Sequence, residues 1–435
     1  MDRLGQVPTK VAALCRVTLC ALACALSWLA TAKAQEFPPN VSNPFPPNVS
    51  NPDEAILDWR YDDPVFFWRM VSRPDNPFEP PDWFYWPDAV IEGAPEPFLP
   101  AARPGETSIP AATLEEMESW AKDRKTNVLI VIHKGKVQLE RYWNGTGPDD
   151  LLNGRAITRS VTPFALGFGV ESGAISLDDP IGRYISEWSE DPRGEITVRQ
   201  LAQNVSGLEV AEQLPIDQVK GNKDLCLVYC GDVVRAALAY EWSNPPGSKF
   251  EVAQENMQLL ALVIERATGM PIQKILSDNI WQPIGASNAT LQFDRPAGTA
   301  RTMCCMRATG RDWTRLGVLL ASDGKWRGKQ VVPASWIRTM ATPSVRNPNF
   351  GLGLWLGSPY IGMRSYFEGQ PGVIPQSEPF LADDVRIMEG GGFRIVHAVP
   401  SQELVIFRHG LFVDNWDTAF LVNTAISGLK GDLRP

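Results

Sequence analysis

The sequence predicts an α+β domain, a sheet assembled from both ends of one chain with a mainly helical stretch between. Three observations carry this. Two adjacent strand-like runs, the apolar Asn127–His133 and the more polar Lys136–Tyr142, are separated by a turn containing Gly135, which predicts a hairpin. Strand-like runs return only in the last third, at Gly351–Leu356, Phe393–Val399 and Leu404–Arg408. The stretch between has helical periodicity, above all at 231–242 and at 254–268, where Gly269 supplies a stop. Strands at both ends with helices between imply a helical insertion, over about 155–290, in a sheet domain.

The 435 residues suffice for one large domain or two smaller ones with a proper core. Residues 1–34 read as a signal peptide. Arg3 and Lys10 precede the apolar run Val11–Ala30, and Ala32-Lys33-Ala34 offers a small-residue cleavage site before Gln35. The same run retained as an anchor is the alternative, although Arg16 interrupts it. Cleavage implies a secreted or periplasmic protein. It would remove four Lys/Arg and one Asp, taking the formal charge from −9 to −12. Nucleic acid is thereby an unsuitable partner, because phosphate binding requires clustered positive charge. After cleavage no stable membrane span is expected.

Three of the seven cysteines fall in the signal, leaving Cys226, Cys230, Cys304 and Cys305 as disulfide candidates with three possible connectivities. Four thiolates can also hold zinc, but a Cys-x3-Cys plus an adjacent Cys-Cys is a poor match to structural zinc spacings. No metal and no cofactor is expected.

Residues 35–52 contain a proline-rich octapeptide, Phe-Pro-Pro-Asn-Val-Ser-Asn-Pro, repeated without change from Phe37 to Pro52. Such a unit cannot form a packed core and is expected to be a tether. Residues 53–104 are dense in tryptophan and proline, including Trp59, Trp68, Trp83 and Trp86, and predict an irregular strap laid over the main domain. A protein partner could use this strap. Thr113–Lys122 predicts a helix with Thr113 as cap and Glu116 at the capping-box spacing. Two more helices are expected at Asp312–Ser322 and within 328–340.

The functional question centres on Arg159-Ser160-Val161-Thr162-Pro163-Phe164, where a short polar residue opens an apolar helical run that Gly173 closes. Taken alone, Ser160 reads as a helix N-cap, with Pro163 in the first turn, where a missing N–H does no harm. Downstream follow Asp178-Asp179-Pro180-Ile181, Ile196–Leu201 with Ser206-Gly207-Leu208, Pro246-Gly247-Ser248-Lys249-Phe250, Asn256–Gly269 and Arg311–Gly317. In order and spacing these segments resemble the serine β-lactamase and penicillin-binding-protein superfamily, in its class C-like branch of esterases and 6-aminohexanoate-oligomer hydrolases. The resemblance covers roughly 105–430. It implies a five-stranded antiparallel sheet flanked by helices, with the site at the seam between the sheet and the helical region.

The resemblance further implies a serine that attacks an ester, amide or lactam carbonyl, a lysine three residues later on the same helix face, and a tyrosine from a second motif. Backbone N–H groups of the serine and of a glycine-bearing strand would stabilise the oxyanion. Ser160 is the candidate nucleophile on this reading, and all three motifs depart from the pattern. Pro163 stands at the lysine position and cannot transfer a proton. Val252 stands at the tyrosine position, followed by Gln254 and Asn256, which are candidates to bind a substrate amide. Glu389-Gly390-Gly391-Gly392 occupies the third motif, where the glycines let a substrate backbone approach and Glu389 adds negative charge that disfavours carboxylate substrates. Glu255 and Glu389 are the candidate replacement bases, if burial drives their pKa values apart. His133, His397 and His409 fall on or beside strands and read as structural.

The expectation is an exported protein of this fold with a degenerate catalytic apparatus, binding a small ester, amide or cell-wall-like ligand. A hydrolase that still uses Ser160 with a replacement base is the first alternative. A structural or assembly subunit is the second.

Overall fold

The computed structural model describes Asp63, Val65, Phe66 and Arg69 and residues 86–103, 105–210 and 223–431. The signal peptide and the tether lie outside the described residues, as does most of the strap. In chain order come α1 (Ala111–Lys122), β1 (Thr126–His133), β2 (Lys136–Tyr142), α2 (Ile157–Glu171), α3 (Gln254–Thr268) and α4 (Gly310–Ala321). They are followed by β3 (Trp355–Leu356), β4 (Arg386–Gly390), β5 (Arg394–Val399), β6 (Leu404–Gly410) and α5 (Phe420–Lys430).

The central sheet runs β2-β1-β6-β5-β4-β3, antiparallel throughout. The two ends of the chain meet where β1 pairs with β6, with Val131 opposite Ile406 and Leu129 opposite Arg408. Both faces of the sheet are covered, and the period-two alternation assigns side chains to them. Leu129, Val131, Ile395 and Ile406 join Met117 of α1 and Val422 of α5 in one core. Val128, Ile130, Val396 and Phe407 join Trp313 and Leu316 of α4 in the other. Gly317 permits this close approach, since a Cβ there would lie 2.5 Å from Val405 Cγ1 and 2.6 Å from Val396 Cγ1.

Several expectations are refined by the structure. The sheet has a sixth, very short strand, because only Trp355 and Leu356 of the expected Gly351–Leu356 strand pair with β4. Gly351–Leu354 instead make a bend, closed by the Gly351 N–H donating to the Leu354 carbonyl, with Gly353 at φ 66°. α1 begins at Ala111 after Pro110, with no side-chain cap, and Thr113 is buried inside it rather than capping it. The described end of the strap is not wholly irregular. Asp88–Ile91 is a strand paired with Ala289–Gln292 in a second, four-stranded sheet. α3 spans the expected residues, and Gly269 takes the left-handed conformation at φ 68°. Among the described residues no helix is long and apolar enough to cross a membrane.

Candidate functional site

A cleft of about 210 Å³ opens where the first turn of α2 meets the start of α3, the helix Lys223–Tyr229, the Tyr366–Phe367 loop and the end of β4. Ala156 is the N-cap residue of α2 and faces this cleft. Arg159, one turn on, faces it too, as the i, i+3 relation requires. β4 runs against this first turn. A Cβ on Gly390 would lie 2.2 Å from the Gly154 carbonyl oxygen and 3.2 Å from the Ala156 nitrogen. Only glycine allows that approach. Gly391, the next residue, lines the cleft, and Gly392 turns the chain towards β5 at φ 81°.

Ser160 lies elsewhere. It falls in the second turn of α2, is 4 % exposed, is not among the cleft-lining residues, and its Oγ donates to the Gly353 carbonyl at 2.6 Å. The helix starts at Ile157, so Ser160 is not its cap. Pro163 is inside the helix rather than in its first turn and supplies no N–H to the Arg159 carbonyl. Gly353 packs into this place, where a Cβ would be 2.7 Å from Pro163 Cγ and 3.0 Å from the Arg159 oxygen. The Ser160–Pro163 face of α2 is thus a packing surface for the Gly351–Leu354 bend.

Arg159 is held from one side. Its Nε donates to the Met303 carbonyl at 3.1 Å. Among the described residues no acceptor meets its Nη atoms, and no carboxylate lies within ion-pair distance of it. Burial lowers its pKa below the usual arginine range, opposed by Tyr366, Asp224 and Glu255. A guanidinium keeps its charge even so.

The carboxyls around the cleft are each engaged or neutralised. Glu255 lines the cleft but is 1 % exposed, and its Oε1 has no hydrogen-bond partner. Burial, reinforced by Asp224 and Glu209, raises its pKa well above the usual carboxyl range against its own backbone N–H and Arg159. Asp224 accepts the Tyr240 hydroxyl at 2.6 Å. Burial raises its pKa, against the Tyr240 hydroxyl, Arg159 and the Gln254 side chain. Glu389, proposed from the sequence as a base, is not among the cleft-lining residues. It accepts from Arg364 Nη2 at 2.6 Å and from the Tyr366 hydroxyl at 3.1 Å. Burial raises its pKa and Arg364 opposes the rise. The negative charge expected to repel carboxylates is therefore compensated inside the protein.

Val252 and Gln254 line the cleft as expected. Asn256 does not. It is buried, and its Nδ2 donates to Asn204 Oδ1 at 3.2 Å, the same oxygen that accepts the Ala253 N–H. It shapes the entry to α3 rather than touching a ligand. The histidines stand away from the cleft. His397 is fully buried, and burial pulls its pKa down to about 3. Cys226 lies beside Cys230, with Cα atoms 4.7 Å apart, and Cys304 beside Cys305 at 3.7 Å. Four thiolates around one zinc ion are not what this arrangement offers.

Sequence reasoning missed Ala156, Arg159, Asp224 and Tyr366. For the first two a signal existed, an i, i+3 pair just before Ser160 at the start of the same helix. For Asp224 and Tyr366 none did, since they arrive from segments more than 50 residues beyond the end of α2.

A family model described as Beta-lactamase matches residues 111–401. The 6-aminohexanoate-dimer hydrolase of Paenarthrobacter ureafaciens is 22% identical over 253 residues, 56% of this chain and 64% of that protein. The match thus spans less than two thirds of that relative's length. A Bacillus anthracis chain provisionally assigned as a 6-aminohexanoate-dimer hydrolase superposes with a TM-score of 0.61 at 18% identity, covering 84% of this chain and 93% of that one. A penicillin-binding protein homologue from Caulobacter crescentus gives a TM-score of 0.55 at 15% identity, covering 74% and 97%. At these identities the two structures establish the fold alone.

Proposed function

Since this chain belongs to the Beta-lactamase family, we propose that it is an exported member that keeps fold and cleft, lacks the acyl-enzyme apparatus, and acts by binding a small ligand. The observation that carries this reading is Ala156. It is the residue at the start of α2 that faces the cleft beside the glycines of β4, where an attacking serine would sit, and Arg159 is three residues on, where the lysine would sit. A methyl group cannot attack a carbonyl, and arginine does not give up its proton as a base must. Val252 on the cleft wall removes the phenol of the second motif as well.

A hydrolase built on Ser160 is disfavoured. Its hydroxyl donates to the Gly353 carbonyl inside the packing surface, and among the described residues it hydrogen-bonds no base. Export rests on the character of residues 1–34. In an oxidising compartment the neighbouring pairs Cys226/Cys230 and Cys304/Cys305 would close as disulfides.

The test is intact-mass labelling of the mature chain with a fluorophosphonate, alongside Ser160→Ala and the double variant Ala156→Ser, Arg159→Lys. The expected outcome is no adduct on the wild type or on Ser160→Ala. A stoichiometric adduct on the wild type that disappears in Ser160→Ala would overturn the reading. An adduct on the double variant alone would identify position 156 as the reactive place in the cleft.

A further inference from the structure

We propose that the cleft is a binding site for a small aliphatic carboxylate, with Arg159 as its anchor. The inference rests on the reading of the cleft as non-catalytic and adds the class of ligand. Non-covalent binding is all that is implied.

The first observation is the state of Arg159. Its Nε bond to the Met303 carbonyl fixes the plane of the guanidinium, while its Nη donors meet no acceptor among the described residues. A planar fork held at one edge and open at the other matches a carboxylate, which can take two parallel N–H···O bonds. The acids that could have neutralised it internally are committed elsewhere. Asp224 is held by Tyr240, and Glu389 by Arg364 and Tyr366.

The second observation is the unpartnered Glu255. Its carboxyl is 1 % exposed, lines the cleft, and has an Oε1 with no partner. A buried polar atom without a partner is costly and calls for a ligand group or water to complete it. Burial raises its pKa, which favours the protonated form, and that form donates. A protonated acid can bond a carboxylate that an ionised one would repel. Beside it, the Ala156 N–H has no acceptor among the described residues.

The third observation is the remaining wall. Val210, Val252 and Phe367 are apolar, which suits a short hydrocarbon chain attached to the acid. Gln254 and Tyr366 complete the polar side. Among the described residues, the charged and titratable groups facing Arg159 are Asp224, Glu255 and Tyr366, with the Arg364–Glu389 pair behind Tyr366.

The experiment is calorimetric titration of the mature, full-length chain with sodium valerate and, separately, with neutral valeramide. Both are repeated on Arg159→Gln and on Ser160→Ala. Valerate is expected to bind the wild type and Ser160→Ala alike, and valeramide to bind roughly tenfold more weakly or worse. Arg159→Gln is expected to lose at least about tenfold in valerate affinity while its thermal midpoint stays close to wild type. Equal binding of valerate and valeramide, valerate binding unchanged in Arg159→Gln, or no valerate binding to the wild type would each overturn the carboxylate assignment. None of these bears on phosphonate labelling, so the two readings fail separately.

Discussion

Arg159 at the cleft and Arg408 on β6 are the same side chain under opposite conditions. Arg408 is fully buried and spends its donors on the protein. Nε bonds Thr126 Oγ1 at 3.0 Å, Nη1 bonds the Gly392 and Phe393 carbonyls, and Nη2 bonds the Arg124 and Leu411 carbonyls. Its guanidinium also lies 4.9 Å from the Trp416 ring centroid. It ties the start of β1, the β4–β5 turn and the end of β6 together. Arg159 makes one such bond. Burying a cation costs several kcal/mol unless its donors are met. Saturation by four carbonyls and a hydroxyl marks Arg408 as structural, whereas the open Nη donors of Arg159 border a cleft and can meet something that arrives from outside. Burial lowers the pKa of both, Arg408 to about 9, so the shift does not separate them. The count of partners does.

The comparison can be broken at its strong end first. Arg408→Ala strands four carbonyls and a hydroxyl in a dry interior. It should cost on the order of 3–5 kcal/mol in urea unfolding, or prevent folding altogether. A loss comparable to that of Arg159→Gln would remove the distinction.

A second effect, of intermediate size, concerns the neutral acid in the cleft. The folded pKa of Glu255 is raised, so the native state holds a proton that the unfolded chain releases above the ordinary carboxyl range. Its contribution to stability is complete below that range and is lost as pH rises towards the folded pKa. Glu255→Gln keeps the shape and cannot ionise. Relative to wild type, its thermal midpoint should gain progressively as pH rises above about 5, where the unfolded carboxyl ionises. A difference that stays flat with pH would mean that Glu255 is ionised in the fold.

The smallest effect belongs to the packed face of α2. Ser160→Ala removes one hydrogen bond and leaves the Gly353 carbonyl unmet, a loss of about 1–2 kcal/mol by denaturant unfolding. Ligand affinity should not change. A change would place Ser160 in the cleft after all.

The contrast between the two faces of α2 also shows what was readable in advance. The β1–β2 hairpin and α3 were legible because each announces itself locally, the first by two strand-like runs around Gly135 and the second by a 3.6-residue apolar period ending at Gly269. The start of α2 was not. A serine before an apolar run looks like a cap, but Ile157, Thr158 and Arg159 are equally compatible with helix, and the true first turn lies one turn earlier. That shift of one turn exchanges the residues facing the cleft for residues facing the Gly351–Leu354 bend. Asn256 was misread for a related reason, since its neighbour Glu255 rather than Asn256 lines the cleft.

By itself the sequence determined the order of the main elements and the α+β class, because periodicity, turn residues and stops act over a few residues. It also contained Ala156 and Arg159, the residues of the α2 start that line the cleft, without saying that they were the ones to consult. Only the tertiary structure decided which side of α2 meets the cleft, that Glu389 is neutralised by Arg364, that Asp224 and Tyr366 join the site, and that the Nη donors of Arg159 go unmet. The physical reason is that desolvation and hydrogen-bond saturation are set by what packs around a group. Those neighbours come from segments distant in the chain, to which no local pattern points.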